Sequence, residues 1–121
     1  MERRGQKYHR ERLGEALREE IETMVEGELG DPRIGLVSVS AVQLAEDSRS
    51  AHVLVAVEGD DREAQRALEG LQGAAGYIRR QLAERLHLRR PPELFFQLDR
   101  SEHYAARVEE LLKRTTRKRN Q

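Results

Sequence analysis

An apolar stripe at helical spacing runs from Ala64 to Leu86 through a stretch that also holds Gly70, Gly73 and Gly76. Ala64, Leu68, Leu71, Ala75, Ile78, Leu82 and Leu86 recur at three- and four-residue steps, the signature of one buried helical face. Each of the glycines disfavours a helix interior by roughly 1 kcal/mol relative to alanine. A chain tolerates that where its backbone has to bend or come close to something else. The spacing therefore predicts two helices that share one buried face and meet at a kink. Tyr77, Arg79 and Arg80 come directly after the last glycine, and Arg85, Arg89 and Arg90 follow. A kinked pair loaded with arginine on its second half suits a backbone brought close to a polyanion, and nucleic acid is the leading candidate.

The flanking segments supply the rest of a small domain. Leu13, Leu17, Ile21 and Met24 mark an amphipathic helix from about Tyr8 to Glu28, with Gly30 placed for a left-handed C-cap and Pro32 beyond it. From Leu36 to Leu44 the pattern alternates, with Val37, Val39 and Ala41 on one side and Ser38, Ser40 and Val42 on the other. A polar turn at Glu46-Asp47-Ser48-Arg49 leads into a second strand from Ala51 to Val57, and the short connection favours an antiparallel pair. Asp60 or Asp61 can cap the kinked helices. Pro91-Pro92 closes the helical region, and Leu94, Phe96 and Leu98 then alternate with Phe95 and Gln97 in a third strand. Ser101 offers the cap of a last helix carrying Val108, Leu111 and Leu112. Residues 1–113 read as one domain, and residues 114–121 as a basic tail expected to be disordered.

Composition narrows the chemistry. Lysine and arginine number 22 and so do aspartate and glutamate, but the zero balance conceals segregation. Arg3, Arg4, Lys7, Arg10 and Arg12 crowd the start, and Lys113, Arg114, Arg117, Lys118 and Arg119 the end. Between them lie an acidic first helix and an acidic loop around Glu58, Asp60, Asp61 and Glu63. A local basic face matters more to a polyanion than the sum. Without cysteine the chain has no disulfide framework, thiolate metal site or cysteine nucleophile. Its first residues lack the apolar core of a secretory signal and no run is long enough to span a membrane, so a cytoplasmic location is expected. His9, His52, His87 and His103 have no spacing that places two on one metal, so no metal or other cofactor is assigned. No serine sits in a nucleophile elbow and the carboxylates fall in solvated runs, so the chain is not expected to be an enzyme.

The element order, together with several short motifs, carries a resemblance. Asp31-Pro32-Arg33-Ile34-Gly35 follows the first helix; Ala74-Ala75-Gly76-Tyr77-Ile78-Arg79 occupies the kink; Leu86-His87-Leu88-Arg89-Arg90-Pro91-Pro92-Glu93-Leu94 leads to Phe95-Phe96 and Asp99-Arg100-Ser101. From about Arg10 to Leu112 the chain resembles the ribosome-binding factor A family. The resemblance implies an α+β, type II KH-like domain: a three-stranded mixed sheet with helices on one face and an Ala-x-Gly helix–kink–helix, here Ala74-Ala75-Gly76. Gly70-Leu71-Gln72-Gly73 is formally the Gly-x-x-Gly of true KH domains, but Leu71 belongs to the apolar stripe and no basic residue stands between the glycines. We read it as helix. The resemblance further implies binding to the 30S small subunit and 16S rRNA during late maturation, including processing of the 16S 5′ end, with a link to growth in the cold. Assembly GTPases acting on the same subunit are implied partners, and a monomer is expected.

On this reading the RNA-binding residues are Ala74, Ala75, Gly76, Tyr77, Arg79, Arg80, Arg85, Arg89 and Arg90. Arginine donates in a planar fork that matches phosphate oxygens, and the start of a helix adds unpaired N–H groups and a partial positive charge. About two of the five arginines are expected to pair internally with Glu84, Glu93 or the acidic loop. Tyr77 either stacks on a base or packs over the kink. Phe95 and Phe96 are expected in the core, and Arg33 is expected to cap the first helix or contact RNA. An alternative keeps the KH-like fold but makes the chain a protein-interaction module, docking on a ribosomal protein or GTPase through its acidic first helix. A helix-turn-helix reading DNA is disfavoured, because the continuous stripe leaves the second helix partly buried.

Overall fold

The computed structural model describes residues 4–100 and Lys113. The expected last helix and basic tail lie outside these residues, Lys113 excepted. Three helices and three strands follow in the order α1 (Arg4–Gly27), β1 (Val37–Leu44), β2 (Ser50–Val57), α2 (Asp61–Gly73), α3 (Ala75–Arg85) and β3 (Glu93–Leu98). The sheet order is β1-β2-β3, with β1 antiparallel and β3 parallel to β2. This is the mixed three-stranded sheet of the expected α+β fold.

Strand alternation sets which face is covered. Ala51, Val53, Val55 and Val57 of β2 and Leu94 and Phe96 of β3 are buried. They meet Leu17, Ile21 and Met24 of α1, Ala67 and Leu71 of α2, and Ile78 and Leu82 of α3 in one core. The stripe read from the sequence is thus the buried face of α2 and α3, with Leu68, Ala75 and Leu86 partly buried along it. Each fully buried leucine or isoleucine here contributes about 1.5–3 kcal/mol of transfer free energy. On the other face of the sheet, His52 and Phe95 stack with ring centroids 5.7 Å apart, and Phe95 is 39% exposed. Phe96 is core as expected; Phe95 is not.

Three further local expectations are corrected. β1 does not alternate throughout, because its pairing to β2 shifts between Val39 and Ala41. One extra residue at Ser40 turns the later side chains over: Val42 pairs with core-facing Val53, Leu44 with Ala51, and Ala41 leaves the core side. Nor does Gly30 adopt a left-handed cap. The N–H groups of Glu28 and Leu29 both donate to the Met24 carbonyl, at 2.9 and 3.2 Å, and the left-handed glycine is Gly35 instead. The α1 helix also begins earlier than its apolar periodicity indicates, at Arg4.

Side chains from the helices engage backbone groups of the strands at both edges of the sheet. Glu22 of α1 accepts a hydrogen bond from the Val39 N–H at 2.6 Å. Gln72 of α2 donates to the Leu94 carbonyl at 3.0 Å and accepts from the Phe96 N–H at 3.2 Å, a side-chain amide taking the place of a neighbouring strand.

Candidate nucleic-acid interface

The kink falls at Ala74. Its φ of −88° and ψ of −3° lie at the margin of the right-handed helical region, and its N–H still closes α2 on Gly70 at 3.1 Å while its carbonyl opens α3 by accepting from Ile78 at 3.0 Å. Asp60 caps the start of α2 by accepting from the Glu63 N–H at 2.8 Å, whereas the N-cap of α3 is Ala74, whose side chain cannot do the same. The opening N–H groups of α3, on Ala75, Gly76 and Tyr77, precede its first hydrogen bond and carry the positive end of its dipole. Gly76 is exposed and Tyr77 is 38% exposed, so this end of the helix faces outward.

The three glycines divide by function. A Cβ at Gly70 would lie 2.9 Å from Ile34 Cγ1 and 3.3 Å from Asp31 Oδ2, so Gly70 lets the Asp31–Ile34 turn pack directly on α2. Within that turn Arg33 places its guanidinium on the Asp31 carboxylate, with Nη2 2.7 Å from Oδ2. The same Nη2 lies 3.6 Å from the place of a Cβ at Gly73. Arg33 therefore sits at the end of α2 beside the kink, rather than capping α1. The Arg33 side chain and its backbone N–H hold the Asp31 carboxyl below the usual carboxylate range. Among the described residues, the nearest side-chain atom to an added Cβ at Gly76 would be Arg80 Nη1, at 3.9 Å. The start of α3 thus has a guanidinium beside it and no closer side chain among the described residues.

The five arginines separate into two groups. Arg80, Arg89 and Arg90 are exposed and have no recorded partner among the described residues. Arg79 donates from Nε to the Pro92 carbonyl at 3.0 Å and from Nη2 to the Pro91 carbonyl at 2.9 Å. Arg85 reaches Glu28, just beyond the end of α1, at 2.6 Å and Glu20 of α1 at 3.6 Å, and its hydrogen bond to Glu28 raises an already high pKa. Two of the five are tied internally, as the sequence led us to expect, but not to the expected partners. Residues distant in sequence hold them: Glu20 of α1, Glu28 just after it, and the carbonyls of the two-proline turn. With Glu22 bound to β1 as well, two of the α1 carboxylates serve contacts with other elements.

Arg89 and Arg90 lie in the connection from α3 to β3. The helix ends at Arg85, and His87 takes a left-handed φ of 54° that turns the chain outward. The Leu88 N–H then bonds back to the Ala83 carbonyl at 2.9 Å. The sequence signals a stop at the two prolines but not at this earlier turn, because histidine is not the usual residue there.

Among the described residues no cluster of histidine, cysteine, aspartate or glutamate is arranged to hold a metal, and no helix is long and apolar enough to cross a membrane. Comparison with known proteins identifies the arrangement. The family model of ribosome-binding factor A matches residues 9–112. Ribosome-binding factor A of Koribacter versatilis is 60% identical over 119 residues, covering 98% of this chain and 97% of that protein. The crystal structure of ribosome-binding factor A from Thermus thermophilus superposes with a TM-score of 0.69 at 29% identity, covering 76% of this chain and 97% of that one. A Thermus thermophilus homology model fitted into a cryo-EM map of a complex between the 30S subunit and ribosome-binding factor A gives 0.63 at 30% identity, covering 75% of this chain and 96% of that one. The chain belongs to the ribosome-binding factor A family.

Proposed function

We propose that this protein binds the 30S small ribosomal subunit and 16S rRNA during late maturation, including the processing of the 16S 5′ end. The observation that carries this reading is the start of α3 at Ala75, Gly76 and Tyr77, which has alanine at its N-cap and, among the described residues, Arg80 as the nearest side chain to Gly76. A phosphate placed there meets N–H donors, a helix dipole and a guanidinium at once. Arg89 and Arg90 extend the cationic surface, and Tyr77 is exposed enough to stack on an unpaired base. Ala74 and Ala75 form the bend that presents Gly76. Arg79 and Arg85 act through the fold. The Thermus relative fitted on the 30S subunit supports the choice of partner. On this proposal the protein acts as a monomer in the cytoplasm, has assembly GTPases of the same subunit as functional partners, and is linked to growth in the cold.

Sucrose-gradient co-sedimentation with 30S particles tests the reading. Wild-type protein is expected to travel with free 30S subunits, Arg80→Ala and Arg89→Ala less so, and naked 16S rRNA is expected to displace the wild type. Undiminished co-sedimentation of the arginine variants, with no displacement by RNA, would assign binding to a protein contact instead.

A further inference from the structure

The geometry points to Arg79 as a positioning residue: by holding the carbonyls of Pro91 and Pro92, its guanidinium fixes the direction in which Arg89 and Arg90 leave the domain. This inference rests on the RNA-binding surface proposed above. A two-proline segment has carbonyl acceptors but no N–H donors, so donors from elsewhere must anchor it. The connection is tied down before the arginines by the Leu88 N–H on Ala83, and after the prolines by the Glu93 N–H on Arg49, both at 2.9 Å. Between those points the Arg79 fork bonds two consecutive carbonyls from one edge of a planar group. Pro91 also restricts Arg90 to extended backbone. Fixing the prolines therefore fixes the residues just before them. The fork comes from α3 itself, whose first turn holds Gly76, so it ties the Arg89-Arg90 loop to the same helix that presents Arg80.

A double-mutant cycle on affinity for the 30S subunit separates this role from direct contact. The full chain is compared, at fixed salt, with Arg79→Ala, with Arg89→Ala/Arg90→Ala, and with all three changes together. We expect Arg79→Ala to lose roughly 5–10-fold in the wild-type background and less than about 2-fold where Arg89 and Arg90 are already absent. An equal loss in both backgrounds would mean that Arg79 touches RNA itself; that overturns the inference and leaves the surface standing. Full affinity of Arg89→Ala/Arg90→Ala would remove the surface and the inference together. Arg79→Lys keeps the charge but not the fork, and is expected to bind as weakly as Arg79→Ala; wild-type affinity in the lysine variant overturns the positioning role. Thermal unfolding is followed for every variant. If Arg79→Ala is unfolded at the assay temperature, Arg79→Lys takes its place in the cycle.

Discussion

An added Cβ meets the Ile34 side chain at 2.9 Å at Gly70 and, among the described residues, no side chain closer than 3.9 Å at Gly76, so the same substitution should act with opposite sign at the two positions. Gly70→Ala gains roughly 1 kcal/mol of helix propensity, but it overpacks a contact whose partner is 3% exposed, at about 1–3 kcal/mol. The expected outcome is a lower melting temperature. Gly76→Ala gains up to about 1 kcal/mol and crowds none of the described side chains, so it should melt higher while binding 30S several-fold more weakly, because its methyl group stands where a phosphate would approach. Equal behaviour of the two variants would contradict this division. Asp31 gives a pH-dependent prediction. Its carboxyl is lowered by Arg33, so the folded state favours the charged form. That contribution is complete above the ordinary carboxylate value of about 4 and is lost as pH falls through the lower folded value. Melting temperatures of wild type and Asp31→Asn should therefore differ at pH 7 and converge in strong acid. The sequence made the candidate arginines legible by position, since a cluster after a glycine is visible without coordinates. It did not reveal which of them bond inward, because Arg79 and Arg85 are held by groups brought near only by folding.

At the level of elements, β2 and β3 were legible because each keeps a strict two-residue period, whereas β1 carries a bulge that periodicity cannot represent. The break between α2 and α3 was legible as a cluster of glycines, yet the residue at the bend is Ala74; Gly70 serves packing and Gly76 access. Gln72 stands in the sequence as a polar residue within the tetrad read as helix, and nothing local marks it as the cover of a strand edge. Its two hydrogen bonds to β3 predict a specific defect. Gln72→Ala should cost about 1 kcal/mol of stability, the net value of ordinary hydrogen bonds at a site that water reaches. The sharper measurement is amide exchange: the Phe96 N–H should exchange faster in the variant, while the Glu93 N–H, bonded across to Arg49, keeps its protection. Unchanged exchange at Phe96 would show that Gln72 does not protect the edge.

For the molecule as a whole, the zero net charge makes the distribution of cations decisive. With 22 charges of each sign, the average field gives a polyanion no reason to approach, so any RNA affinity has to come from a few placed side chains. The acidic first helix neutralises Arg85 and anchors β1 through Glu22, leaving Arg80, Arg89 and Arg90 as exposed cations around the start of α3 and the loop that follows it. Each phosphate contact releases counterions, so three contacts predict a log–log slope of affinity against salt between about −2 and −3. Arg80→Ala should flatten that slope by roughly one unit, since it removes one phosphate ligand. Asp31→Asn, which frees the Arg33 guanidinium beside Gly73, should steepen it by a similar amount. Truncation after Leu112 should weaken binding less than Arg80→Ala does, because the start of α3, and not the tail, is proposed to hold the phosphate. A slope near zero, or one that Arg80→Ala leaves unchanged, would mean that the kink is a packing device alone and that the ribosome is recognised elsewhere on the molecule.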